Sequence, residues 1–271
     1  MPDYLLLRSP DGNYLRATNG TTALSPRVDD TCLWLLDGDR LVSSDEACAI
    51  RFLCEGESID GHPFCRPRDL ERAPAAGFAM LGGPTRLPSE HLEELRTRGY
   101  TVVEHILDEA AIHRVRSQVA KNRAEHHADE PPNDGHFWMM NGLGWCRDIA
   151  RSSTHPVALW LLESYLDTAD IHFCHQPIIT TLKPADALRG TRHEGGWHSD
   201  YPYHPGVFPN DDWPKQPVFG AQYNVCVDAF EAGNAATQFV PGSHALGRGP
   251  TPECNLGGTR MGEGQHDRVR Q

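Results

Sequence analysis

The stretch from 61 to 88 constrains the chain most, because it holds Pro63, Pro67, Pro74, Pro84 and Pro88 together with Gly77, Gly82 and Gly83. Proline fixes φ and removes an amide donor, and glycine gives up the most backbone entropy on ordering. No long helix or central strand is expected to run through such a segment. The composition therefore predicts a linker over 66–88, a small β-rich lobe over 1–65 and a larger domain over 89–271. A chain of 271 residues is long enough for that division and for a substantial core.

In the first part, residues 4–8 and 13–17 flank Ser9-Pro10-Asp11-Gly12, whose Pro, Asp and Gly are turn formers, so the pair reads as a β-hairpin. Short apolar runs follow at 33–36, 41–42 and 49–53, separated by Asp37-Gly38-Asp39 and Ser43-Ser44-Asp45. The expectation is a small all-β lobe, faintly similar to part of a β-trefoil. It serves either as a structural appendage or as a module that binds a ligand or partner.

The second part opens with a helix, with Ser89 as its N-cap, Leu92 and Leu95 on one face and Gly99 as its stop. Residues 100–104 read as a strand by their β-branched content. Asp108 then caps a longer helix in which Ala111, Ile112, Val115 and Val119 recur at helical spacing. Its other face carries Arg114, Arg116, Lys121 and Arg123 toward solvent. Residues 131–148 are rich in Pro, Gly and aromatic residues, and Phe137, Trp138 and Trp145 either border a pocket or fill a core. A helix is expected over 156–167, with Pro156 in its first turn. Strands are expected over 178–182 and 218–229. In the latter, Gln222 and Asn224 share one face while Tyr223 and Val225 share the other.

The formal charge of −12 argues against nucleic acid or an anionic membrane as the main partner, since both require basic surfaces. Eight cysteines are scattered without a Cys-x-x-Cys pair, which argues against a zinc ribbon or a thioredoxin-like site. The first residues lack a signal-peptide pattern, and no apolar run reaches the roughly 18 residues of a membrane span. A cytoplasmic protein with reduced thiols is the expectation. Gly-x-Ser-x-Gly, Walker and Rossmann patterns are absent.

Chemistry concentrates at Trp197-His198-Ser199-Asp200. On an extended backbone, residues i and i+2 point to the same face. The imidazole of His198 and the carboxylate of Asp200 can then converge on one cation. They are two members of the two-histidine, one-carboxylate set that holds non-haem Fe(II). His172, Cys174 and His175 form a weaker group, because His172 and His175 would face opposite ways on a strand. His193 and His204 flank the main motif and would line a pocket entrance or sit in solvent.

Three features in order give the second part a family resemblance. They are Gly99-Tyr100-Thr101-Val102-Val103-Glu104 followed by a helix, Trp197-His198-Ser199-Asp200 after a strand and a loop, and the turn Asn234-Ala235-Ala236-Thr237-Gln238-Phe239-Val240-Pro241-Gly242-Ser243-His244. Over about residues 87–271 the chain resembles the phytanoyl-CoA dioxygenase-like family of Fe(II)/2-oxoglutarate-dependent oxygenases. The resemblance implies a mostly β fold with flanking α-helices, a cupin-like double-stranded β-helix (jelly roll) preceded by the small β lobe. It implies Fe(II) and 2-oxoglutarate as cofactors, O2 and a small organic molecule as substrates, and hydroxylation with release of succinate and CO2. His198 and Asp200 match two iron ligands. Thr181, Gln222 and Asn224 are candidates for polar groups lining the cosubstrate pocket, from strand position and alternation.

The family's distal histidine and its 2-oxoglutarate-binding arginine belong to strands beyond the Pro-Gly-Ser-His turn. The residues after His244 are Gly-rich and charged, without the apolar alternation of a core strand. The expectation is that the chain stops before those strands, with His266 and Arg268 as weak substitutes and His244 structural. The alternative function is a catalytically inactive binding protein on the same scaffold, lacking the third ligand. A further one is a cupin-like metalloenzyme without 2-oxoglutarate. Substrate identity and oligomeric state are not legible.

Overall fold

The computed structural model describes residues 4–37, 40–51, 58–59, 62–63, 78–126, 128, 138–180, 220–229, 237 and 239–246. The chain divides into two compact units. One comprises Met1–Leu95, Thr101–Ile106 and Thr154–Ala169, and the other Arg96–Tyr100, Leu107–Ser153 and Asp170–Gln271.

The first unit is built on an antiparallel sheet. Its strands are β1 (Leu5–Arg8), β2 (Tyr14–Thr18), β3 (Thr21–Ser25), β4 (Trp34–Asp37), β5 (Arg40–Ser43), β6 (Ala49–Arg51) and, after a separate pair β7 (Ser58–Ile59) and β8 (His62–Pro63), β9 (Ala79–Gly82). The β1–β2 hairpin turns where the sequence predicts it. Gly12 takes a positive φ of 87° and donates its N–H to the Ser9 carbonyl at 3.0 Å. The next turn is Asn19-Gly20, both residues at positive φ, the geometry whose twist suits a two-residue hairpin loop.

β1 is the hub. Leu5 pairs with Trp34 of β4 and Arg8 with Tyr14 of β2, so these two strands share one edge. The whole length of β1, from Leu5↔Gly82 to Arg8↔Ala79, pairs with β9 on the other edge. β9 lies inside the segment expected as a linker. Its Phe78-Ala79-Met80-Leu81 run is apolar enough to join the sheet before Gly83 and Pro84 end it.

Both faces of the sheet are covered, which explains the unbroken Leu5-Leu6-Leu7 run in β1. On one side Leu7, Leu15, Ala17, Trp34, Leu41, Phe78 and Met80 form a buried cluster. The fully buried Trp34 donates its indole N–H to the Leu15 carbonyl at 3.1 Å, so its polar atom is satisfied. On the other side Leu6, Tyr14, Cys32 and Leu33 meet Val157 and Leu161 of a helix, α5 (Pro156–Leu166). The lobe expected to be all-β thus carries a helical cover. Arg27 clamps that helix through bonds of 2.7–3.0 Å to both carboxylate oxygens of Glu163. Burial pushes the Cys32 thiol up to about 11, so it behaves as a small apolar side chain.

Helix α1 (Pro88–Arg98) begins two residues earlier than expected. Glu90 reaches back to accept the Leu87 N–H at 2.8 Å, the return half of a capping box, whereas the Ser89 N–H is bound by Asp30 at 2.9 Å. Gly99 follows at φ 83° and stops the helix as predicted. Residues 100–104 are not a strand. Their polar side chains bond instead to other side chains. The Thr101 hydroxyl donates to Glu94 at 2.8 Å and stands 2.9 Å from His91 Nδ1, and Thr85 donates to Glu104 at 3.0 Å. Because the Thr101 proton goes to Glu94, His91 must donate from Nδ1.

In the second unit, α2 (Glu109–His126) starts at Asp108, whose carboxylate accepts the Ala111 N–H at 2.6 Å. Two short helices follow, α3 (Gly142–Trp145) and α4 (Arg147–Ser153), in a region expected to be partly loop. Val115, Cys146 and Ile149 make the core, joined by Val119, Trp145, Ile179 and Val227. A Cβ at Gly142 would lie 2.7 Å from the tip of the Ile179 side chain, so a larger residue there would make Ile179 shift. Beside it, β10 (Trp138–Met139) and β11 (Ile179–Thr180) form a short antiparallel pair, and β11 falls within the predicted 178–182 strand. No helix among the described residues is long and apolar enough to cross a membrane.

Candidate functional site

His198, Asp200 and Thr181 lie outside the described residues, as do His193, His204, His266 and Arg268. Gln222 and Asn224 are described, and both are exposed in the segment 220–229. This segment is not assigned as a strand, so the expected 218–229 strand is absent over its described part. The expected alternation is nonetheless present, with Tyr223, Val225 and Val227 partly buried and Gln222, Asn224 and Cys226 exposed.

The inward face holds the segment in place. Tyr223 donates its hydroxyl to the Ser152 carbonyl at 3.0 Å, and burial pushes its phenol pKa upward. Val227 enters the apolar core, while Arg116 on α2 bonds to the Val227 carbonyl at 3.1 Å and to Asp228 at 2.6 Å. Arg116 therefore does more than sit in solvent. Gln222 and Asn224 occupy the exposed positions of the alternation.

The first and third sequence motifs meet in space. The turn after Val240 brings the Gly242 N–H to the Arg98 carbonyl at 2.7 Å. His244, in a short 3₁₀ turn (Ser243–Ala245), donates Nε2–H to the Arg96 carbonyl at 2.9 Å. Its ring covers Gly99 so closely that a Cβ there would lie 2.8 Å from the ring's Cγ. Phe239 stacks on Tyr100, with ring centroids 5.3 Å apart and planes inclined by 15°. With Nε2 committed to a carbonyl and the ring held over Gly99, His244 is a structural residue and is not placed as a metal ligand.

Across the same unit, Asp148 is buried at the start of α4 and receives Arg114 through a two-point bond, Nε to Oδ2 at 2.8 Å and Nη2 to Oδ1 at 2.9 Å. The Arg114 bond holds the Asp148 carboxyl below its usual range. His172 and His175 are exposed, His172 lying 3.0 Å from Asp170 and His175 bonded to the Gln176 carbonyl. Among the described residues no group of three or more His, Cys, Asp or Glu is placed to hold a metal ion.

A family model described as phytanoyl-CoA dioxygenase matches residues 95–257. The chain belongs to the phytanoyl-CoA dioxygenase family. The match encloses all three motifs, including His198-x-Asp200 and the Pro241-Gly242-Ser243-His244 turn. Members of this family are in general Fe(II)/2-oxoglutarate oxygenases with a cupin-like jelly roll. No curated protein and no solved structure matches the chain. The donor chemistry of an imidazole and a carboxylate two residues apart fits a ferrous ion. The matched stretch runs through both compact units, because residues 101–106 and 154–169 lie with the N-terminal sheet. Two positioning contacts, Tyr223 to Ser152 and Arg116 to Asp228, were not anticipated. The alternation at 222–225 already marked Tyr223 as inward, but its partner lies too far along the chain for local pattern to name.

Proposed function

We propose that this phytanoyl-CoA dioxygenase-family protein is an Fe(II)- and 2-oxoglutarate-dependent dioxygenase that hydroxylates a small organic molecule. The overall change inserts one oxygen of O2 into a substrate C–H bond and places the other in succinate, with CO2 released from 2-oxoglutarate. What carries the reading is His198-x-Asp200 inside the family-matched stretch. His198 and Asp200 are proposed to hold the iron, with Thr181, Gln222 and Asn224 as polar groups toward the cosubstrate. Bound iron and 2-oxoglutarate would supply O2 activation. The protein's part is to fix ligand geometry, orient the substrate and exclude water.

The matched region is proposed to fold as a double-stranded β-helix, with the N-terminal sheet as a supporting lobe and the cytoplasm as its compartment. The test is anaerobic calorimetry with Fe(II), followed by measurement of succinate formed from 2-oxoglutarate in air. Iron binding that is lost in His198→Ala and in Asp200→Ala, together with succinate formation by the parent protein, is the expected result. Iron binding unaffected by both substitutions would remove the proposed centre. Iron binding dependent on both, but without succinate, would favour a cupin-like metalloprotein that does not use 2-oxoglutarate.

A further inference from the structure

In the second unit, α2 and α4 face each other across an open groove of about 690 Å³. His113, Arg114, Ser117 and Gln118 line it from α2, and Arg147, Asp148 and Arg151 line it from α4, with Trp145 and Cys146 at its end. The spacing explains the convergence. Positions 113, 114, 117 and 118 form one stripe of α2, and 147, 148 and 151 one stripe of α4. The volume falls in the range of small-molecule sites.

Charge is the informative feature. The buried Asp148 is the groove's one carboxylate among the lining residues, and Arg114 engages both of its oxygens. Arg147 and Arg151 are exposed, and among the described residues neither lies within ion-pair distance of a carboxylate. The groove is therefore a cationic pocket on a chain with a formal charge of −12. Arg147 and Arg151, one helical turn apart on one stripe of α4 and both acting on Asp148 through their charge, present exposed guanidinium donors to the groove, and the half-buried Trp145 supplies an apolar wall.

We propose that this groove binds a small organic anion. Arg147 and Arg151 hold its phosphate or carboxylate group, Ser117 and Gln118 bond its neighbouring polar atoms, and Trp145 packs against its carbon skeleton. The site uses none of the residues assigned to iron or 2-oxoglutarate above, so its occupancy is read without iron.

The experiment titrates the 271-residue chain by calorimetry with pyrophosphate and, separately, with glutarate, at low ionic strength and without metal. Saturable binding of at least one probe is expected, weakened about tenfold or more in the Arg147→Gln/Arg151→Gln double variant. Arg116→Gln, which removes an arginine outside the groove, is expected to bind as the parent does. The preferred probe distinguishes a phosphate ligand from a carboxylate ligand. Binding of neither probe, binding indifferent to the double substitution, or equal loss in Arg116→Gln would overturn the proposal. Because Arg147 and Arg151 are exposed, the double variant is expected to keep the parent's melting temperature, which separates lost binding from lost folding.

Discussion

His155 makes the stability of this protein depend on pH in a way that one substitution removes. It precedes Pro156 at the start of α5, its Nδ1 is buried with no hydrogen-bond partner among the described residues, and burial pushes its pKa down to about 4 from 6.5. Glu104 and His105 border the same small cavity, together with Leu6, Gly82, Gly83, Pro84 and Val103. The positive end of the α5 dipole opposes protonation as well. In the unfolded chain the imidazole takes up a proton near 6.5, while in the folded chain it stays neutral down to about 4. The unfolded state therefore binds more protons between these values. The stability due to a neutral His155 is complete above 6.5, is lost as pH falls toward 4, and changes no further below that.

At about 1.4 kcal/mol per pH unit, the whole window is worth about 3 kcal/mol, and the fall from pH 7 to 5 about 2 kcal/mol. That is a large share of a typical domain's 5–15 kcal/mol, roughly. The assay is urea unfolding at pH 7.5, 6.5, 5.5 and 5.0 for the parent and for His155→Phe, which keeps a ring of similar size. Carboxylates titrate in both proteins and cancel in the comparison. The parent should lose about 2 kcal/mol more than the variant across the range. Parallel pH profiles would show that His155 is protonated in the folded protein and that the argument from burial is wrong.

Gly99→Ala should cost roughly 1–3 kcal/mol, since it strains a residue at φ 83° and drives a methyl into the His244 ring. Chemical denaturation measures the loss, and an additional His244→Ala should recover part of it. Leu7→Ala opens a cavity beneath the hub strand and should destabilise by about 2–5 kcal/mol, read from the urea midpoint. Thr101→Val strips both Glu94 and the fully buried His91 of a partner and should cost about 1–3 kcal/mol in the same assay.

Local chemistry was legible wherever one residue decides the outcome within a turn of chain. Ser9-Pro10-Asp11-Gly12 announced the first hairpin, Asp108 the start of α2, Gly99 the end of α1 and Pro156 the start of α5. Asn19-Gly20 carries an equally strong hairpin signal, at the turn between β2 and β3. Pairing between distant residues was not legible. The composition around β9 favours a linker, and what makes it a strand is the free edge of β1, more than seventy positions away. Residues 100–104 and 220–229 show the converse, a strand-like sequence pattern that the structure assigns to no strand. Trp145 does both things the sequence left open, packing on the Val115 core and lining the groove between α2 and α4. The family was legible in the sequence, and His198-x-Asp200 is proposed from it alone because it lies outside the described residues, while the docking of Phe239 and His244 onto Tyr100 and Gly99 required the fold.

The passage of the chain back and forth between its two units bears on how such a protein can be inherited and recombined. The helix that covers the N-terminal sheet comes from residues 156–166, with α2, α3 and α4 encoded between them and that sheet. A gene crossover anywhere between 83 and 155 would join one parent's sheet to another parent's helix, setting Leu6 and Tyr14 against a foreign Val157 and Leu161 and Arg27 against a foreign Glu163. The N-terminal lobe is consequently not a cassette that can be exchanged on its own. Substitutions on its inner face and on α5 should be accepted together, as one lineage.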